Sequence, residues 1–245
     1  MTSGLVRRAE GSPLVRMVGY HDLVADLRKA GCPICHGAHR SAWRYLDGVL
    51  WESVNDPGVR TSLRASHGYC RDHARMLLRV ADAQSGALGV SILVEDLLQH
   101  VSADAALEAA AKRPGSRRRR RRLLPQARCD ACSIVRNTEE IYVRILAAAE
   151  EGSPPFVGIR AHGRGVCLPH VSFGVAMLGD VADRDRFVAC FLHGTEELRG
   201  ELTEFARKHD YRFRGEGMAD GEATAWRRGM YRLVGEPSPS TPPSR

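Results

Sequence analysis

Long apolar runs are missing from this 245-residue chain. No stretch approaches the ~18 consecutive apolar residues that a membrane-spanning helix needs. Residues 1–20 lack the apolar core of a secretory signal, because Arg7, Arg8, Glu10 and Arg16 interrupt it. The expected location is therefore the cytoplasm, with no membrane partner. Aromatic residues are scarce at 6% and alternating strand patterns are rarer still. No phosphate loop, Ser–His–Asp order or H-E-x-x-H motif occurs. Lysine is nearly absent too, with Lys29, Lys112 and Lys208 the only three among 36 basic residues. With 43% apolar and 27% charged residues, the composition excludes collagen, a wholly disordered chain and a dense disulfide scaffold.

The formal charge of +7 has one source. Residues 112–122 hold Lys112, Arg113 and the run Arg117, Arg118, Arg119, Arg120, Arg121 and Arg122, with no acid among them. Without this segment the rest of the chain is close to neutral, so the excess is one stretch and not a basic face. Like-charge repulsion and Pro114-Gly115-Ser116 favour an extended linker. The same arginines are the candidate contacts for nucleic acid.

What the chain does have is a duplication. Cys32 and Cys35 are followed by Cys70 and His73; Cys129 and Cys132 are followed by Cys167 and His170. Both copies read C-x2-C, 34 intervening residues, then C-x2-H, and each second-copy ligand lies 97 positions after its counterpart. Tyr45 and Tyr142 keep that offset, as do Gly68 and Gly165. A fixed offset across this many positions indicates two copies of one supersecondary unit.

The copies read as helical. Ala38, Ala42, Tyr45, Leu46, Val49, Leu50 and Val54 follow Cys35 at the spacing of one helix face, and Val135, Tyr142, Val143, Leu146 and Ala147 follow Cys132 similarly. Asn55-Asp56-Pro57 predicts a capped helix start. Each C-x2-H pair opens a further helix, expected over 71–81 and 168–178. Pro169 is tolerable only in a first turn, where its missing N–H has no partner to lose. Longer amphipathic stretches cover 86–111 and 183–209. The expected architecture is all-α, with tandem helical units over 21–111 and 128–235, each pinned by a Cys3His metal site. An N-terminal segment (1–20), an Arg-rich linker (112–127) and a Pro/Ser-rich disordered tail (236–245) complete it.

Three thiolates and one imidazole form the tetrahedron typical of structural zinc, and two zinc ions are expected. Iron–sulfur clusters with one His ligand each are the alternative. Disulfides would leave the matched histidines without purpose. A covalent haem site, formally allowed by Cys32-Pro33-Ile34-Cys35-His36, finds Ser133 in place of histidine in the second copy. Closing a 34-residue loop costs less entropy than closing one across the linker. Each copy is therefore expected to build its own site in preference to a swapped arrangement that exchanges halves between copies, with charge offset by Arg71 and Arg75 in one and by Arg128, Arg136 and Arg164 in the other. Four protein ligands per copy point to closed, structural sites, and metal-dependent folding follows.

Glu52, Asn55, Asp56 and Arg60 occur only in the first copy. They read as a helix junction or as a ligand or partner site beside the first metal, the latter the one route to an enzyme. Cys190 and His193 repeat C-x2-H without a C-x2-C partner, which favours a core cysteine. His36, His39 and His67 are surface residues or neighbours of the first site.

The motif from Cys32 to Cys35, the stretch from Val54 to Arg60, Gly68-Tyr69-Cys70 with His73, and Gly165-Val166-Cys167 with His170 occur in that order over about 30–180. This pattern resembles the bacterial family catalogued as domain of unknown function DUF6062. The resemblance implies a mainly helical protein with paired Cys/His motifs and supplies no activity. The pair Cys129 and Cys132 lacks the proline of the first. The expected role is non-enzymatic: a zinc-binding helical module that presents surfaces to a protein partner. Nucleic-acid binding through the arginine run is the alternative.

Overall fold

A computed structural model describes residues 16–110, 123–161, 163–213 and 215–237. Ten α-helices are present among them and no strand; Gly31 and Arg164 form one isolated parallel bridge. The helices are α1 (Tyr20–Asp26), α2 (Pro33–Glu52), α3 (Pro57–Ser66), α4 (Arg71–Gln84) and α5 (Ala87–Ala109). The others are α6 (Asp130–Ala147), α7 (Pro154–Ile159), α8 (Leu168–Met177), α9 (Val181–Lys208) and α10 (Asp220–Val234). No described helix is long and apolar enough to cross a membrane.

The helices expected after Cys35, Asp56, Cys70, Cys132 and Cys167 are all in place. α1 and α7 are short additions, and α10 is a C-terminal helix whose bounds the sequence reading did not give. The arginine run 117–122 and the tail beyond 237 lie outside the described residues.

The chain divides into two compact units. One contains the described residues up to Ala38 together with Asn137–Pro237, and the other spans His39–Arg136. α2 and α6 each start in one unit and end in the other, so each unit draws on both sequence copies. The reason is helix length. A 20-residue helix is one stiff element about 30 Å long, so its start and its end can belong to different units.

In the discontinuous unit, Tyr142, Phe187, Ile34, Ile145, Leu146, Ile159 and Val166 are almost wholly buried. Tyr142 donates its hydroxyl to Asp26 (2.9 Å), a fully buried carboxylate that Lys29 also meets at 3.1 Å. α9 starts on Asp180, whose side chain accepts from the Asp183 amide at 3.0 Å. α10 packs along α9, tied by Lys208 to Glu222 (2.6 Å) and by Arg228 to Glu201.

In the continuous unit, α2 buries Ala42, Trp43 and Leu46 against Met76, Leu77 and Val80 of α4, with Cys129 and Ala131 in the same cluster. Val49, Leu63 and Leu93 make a second, smaller core. α3 begins as its sequence predicts: Asp56 accepts from the Val59 amide at 2.8 Å and Pro57 fills the first turn. It ends at His67 and Gly68, both with positive φ, where the Gly68 amide returns to the Leu63 carbonyl at 2.7 Å. That left-handed exit turns the chain toward Cys70 and the start of α4.

Candidate metal centres

Each cysteine or histidine of the two motifs sits at a helix start. Cys32 immediately precedes α2, Pro33 occupies its first position, and Cys35 falls in the first turn. Cys129 precedes α6 and Cys132 lies in its first turn. Cys70 and Cys167 are the N-cap residues of α4 and α8, with His73 and His170 one turn further on. Unpaired amides at a helix N-terminus favour negative charge, which suits thiolates. Pro169 lies in the first turn of α8, where it removes no hydrogen bond. Gly68 and Gly165, which keep the repeat offset, take φ of 91° and 142°. A side chain at Gly165 would collide with the Arg232 guanidinium.

Eight donor atoms converge on two points, in two sets of four. Cys32, Cys35, Cys167 and His170 form one set, and Cys70, His73, Cys129 and Cys132 the other, with atoms in each set within 4.8 Å of one another. This corrects the expectation that each copy closes its own site: the C-x2-C pair of one copy meets the C-x2-H pair of the other. Loop entropy treats the 34 residues as flexible chain, yet most of them are helix. α2 extends the chain by about 30 Å and the 10-residue α3 recovers at most about 15 Å. In the structure the segment does not return to its own start: Cys70 joins Cys129 and Cys132 instead.

The distances fit a tetrahedral ion. Zn–S bonds of ~2.3 Å and Zn–N bonds of ~2.0 Å imply edges of ~3.8 Å between sulfurs and ~3.5 Å between sulfur and nitrogen. In the first set Cys35 and Cys167 sulfurs are 3.7 Å apart, and His170 Nδ1 lies 3.5, 3.5 and 3.1 Å from Cys32, Cys35 and Cys167. In the second, Cys70 and Cys132 are 3.6 Å apart, and His73 Nδ1 lies 3.2, 3.7 and 3.3 Å from Cys70, Cys129 and Cys132. All seven cysteines are free thiols.

Without a cation, three adjacent sulfurs cannot all ionise. Burial opposes charge at Cys32, but hydrogen bonds with Cys167, Cys35 and His170 outweigh it and hold its thiol well below the usual value. Hydrogen bonds with Cys167 and Cys32, then burial, push Cys35 far up. Burial works against the His170 imidazolium, yet hydrogen bonds to Cys167, Cys32 and Glu139 raise its pKa to about 12. Burial, then Cys70, lifts Cys132 to about 12. A divalent cation that displaced these protons would allow three thiolates to share each point.

Three flanking residues of the first set carried no sequence signal. Glu139 Oε1 is 3.2 Å from His170 Nε2, so a carboxylate orients the ring that offers Nδ1. The Glu236 amide donates to Cys35 Sγ at 3.3 Å. Arg232, from α10, donates to the carbonyls of Val166 (3.0 Å) and Arg164 (2.8 Å) and adds positive charge beside Cys32 and Cys167. Of the arginines expected to balance charge, Arg164 instead reaches the Arg28 and Gly158 carbonyls, and Arg75 pairs loosely with Asp72 at 3.9 Å.

The other candidates lie elsewhere. Asp56 caps α3, while Arg60 reaches the Val54 carbonyl (3.1 Å), Asn55 (3.0 Å) and Asp96 (3.5 Å); Glu52 is exposed at the end of α2. Asp96, buried and bound also by Arg64, is the central carboxylate of this junction; the Arg64 hydrogen bond holds its pKa down. Cys190 is a core thiol that donates to the Arg186 carbonyl at 3.4 Å, and His193 meets the Arg160 carbonyl at 3.2 Å. His36 meets the Ala30 carbonyl at 2.7 Å.

An uncharacterized 23.9 kDa protein in the xynA 3' region of Caldicellulosiruptor sp. (strain Rt8B.4) is 24% identical over 204 residues, or 83% of this chain and 95% of that protein. No solved structure matches the chain. The profile of the family of unknown function DUF6062 matches residues 21–239. The chain, with its two crossed Cys3His clusters, belongs to the DUF6062 family.

Proposed function

We propose that this protein is a tandem-duplicated helical module that holds two structural zinc ions and presents its surface to a protein partner in the cytoplasm. One observation carries the zinc reading: four Cys/His donors in each cluster stand at the edge lengths of a zinc tetrahedron. Cys3His is a donor set that zinc favours, and a saturated set leaves no position for a substrate. The metal's contribution is to fasten the start of each long helix to a short helix from the other sequence copy. Reduced thiols are what a reducing compartment maintains. Exposed Trp226, Met230 and Leu233 on α10 support a partner-facing role. Metal analysis of protein purified without added zinc should give two zinc ions per chain. A value near zero, or a brown iron–sulfur chromophore, would overturn the assignment.

A further inference from the structure

A cavity of about 70 Å³ lies among α6, α7 and α9, away from both thiol clusters. Leu146, Ala149, Ile159 and Cys190 give it an apolar wall, and Phe156 and Arg160 complete it. Its volume admits roughly five water-sized groups, the heavy-atom count of propionate. The two arginines at this cavity differ. Arg186 is committed, donating to the Ala147 carbonyl at 2.8 Å and pairing with Asp183. Arg160 stacks on the Phe156 ring at 4.3 Å, but no carboxylate among the described residues pairs with it. A guanidinium keeps its charge in any protein environment.

We propose that this cavity binds a short-chain monocarboxylate, whose carboxylate accepts from Arg160 and whose alkyl tail lies against Leu146, Ala149 and Ile159. The wall excludes strongly hydrated anions, since most of the cavity offers no polar group to replace lost water. Cys190 is a wall and not a nucleophile: burial lifts its pKa to about 11, and its thiol already donates to the Arg186 carbonyl.

Calorimetric titration of the full chain with propionate tests this, with 1-propanol (tail without charge) and inorganic phosphate (charge without tail) as comparisons. Propionate should bind saturably, and both comparison compounds at least about tenfold more weakly. Arg160→Gln should weaken propionate by about tenfold or more, the share expected of one charge-assisted hydrogen bond, with metal content and melting temperature unchanged. Ala189→Leu, which fills the cavity from α9, should abolish binding and serves if Arg160→Gln does not fold. Phosphate binding as tightly as propionate would overturn the proposal. So would propionate affinity that survives both substitutions, or the absence of saturable binding.

Discussion

The two thiol clusters share a donor set and differ in what surrounds it. In the discontinuous unit Cys32, Cys35, Cys167 and His170 are all buried, none more than 8% exposed. In the continuous unit Cys129 is buried, His73 and Cys132 are half-buried, and Cys70 is exposed. The extra cover comes from α10 and the residues just after it, which supply Arg232 and the Glu236 amide. Shifted back by the motif offset of 97, α10 would fall on residues 123–137, which hold the approach to Cys129 and the start of α6. No separate helix at that offset stands over the second cluster as α10 stands over the first. Identical ligands can therefore sit in unequal solvent, because ligand identity is local while shielding depends on what the rest of the chain places on top.

The largest expected effect comes from removing one ligand. Structural zinc contributes about 10 kcal/mol or more of folding free energy. Cys35→Ser should reduce bound metal to one equivalent and abolish cooperative melting of the discontinuous unit. Cys70→Ser should be milder, because water can occupy an exposed fourth position. Metal analysis with calorimetric melting reads both; equal losses would erase the distinction.

Next comes exchange. With a chelator and a colorimetric zinc indicator, the metal at Cys70, His73, Cys129 and Cys132 should leave at least about tenfold faster than the other, since local opening scales with exposure. Alkylation mapped by mass spectrometry should reach Cys70 first. Release in the reverse order would break the comparison.

A third test sharpens the role of the flanking carboxylate. Glu139→Gln should lower affinity at the buried cluster by about 10- to 100-fold and leave the exposed cluster unchanged in competition titrations. An equal change at both would mean that the substitution acts through general stability.

The smallest effects concern packing. A methyl group at Gly174 would press into the Phe187 ring, whereas one at Gly48 meets nothing within 4 Å. Gly174→Ala should cost about 1–3 kcal/mol, and Gly48→Ala, within helix α2, should add about 0.5–1 kcal/mol. Denaturant melts that reversed these signs would show that the tighter core is not where the structure puts it.

Much of this was legible because it is local. Cys and His spacing, the Asp56 cap, Pro57 and Pro169 in first turns and the apolar stripe from Ala38 to Val49 depend on residues within a turn or two. Glu139 was not legible: it stands next to Glu140 on α6, and only the arrival of α8 selects one of the two. Arg232 and Glu236 lie more than 60 residues from Cys167, with no periodic link to it.

By itself the sequence determined that the chain is helical, which eight side chains act together and that they come as two sets of four. Only the tertiary structure decided which halves meet and which set is sheltered. The physical reason is rigidity: α2 and α6 are stiff elements of 20 and 18 residues, and each starting cysteine pair meets the short helix that packing brings to it. Partners are then set by where stiff helices end and not by how few residues intervene.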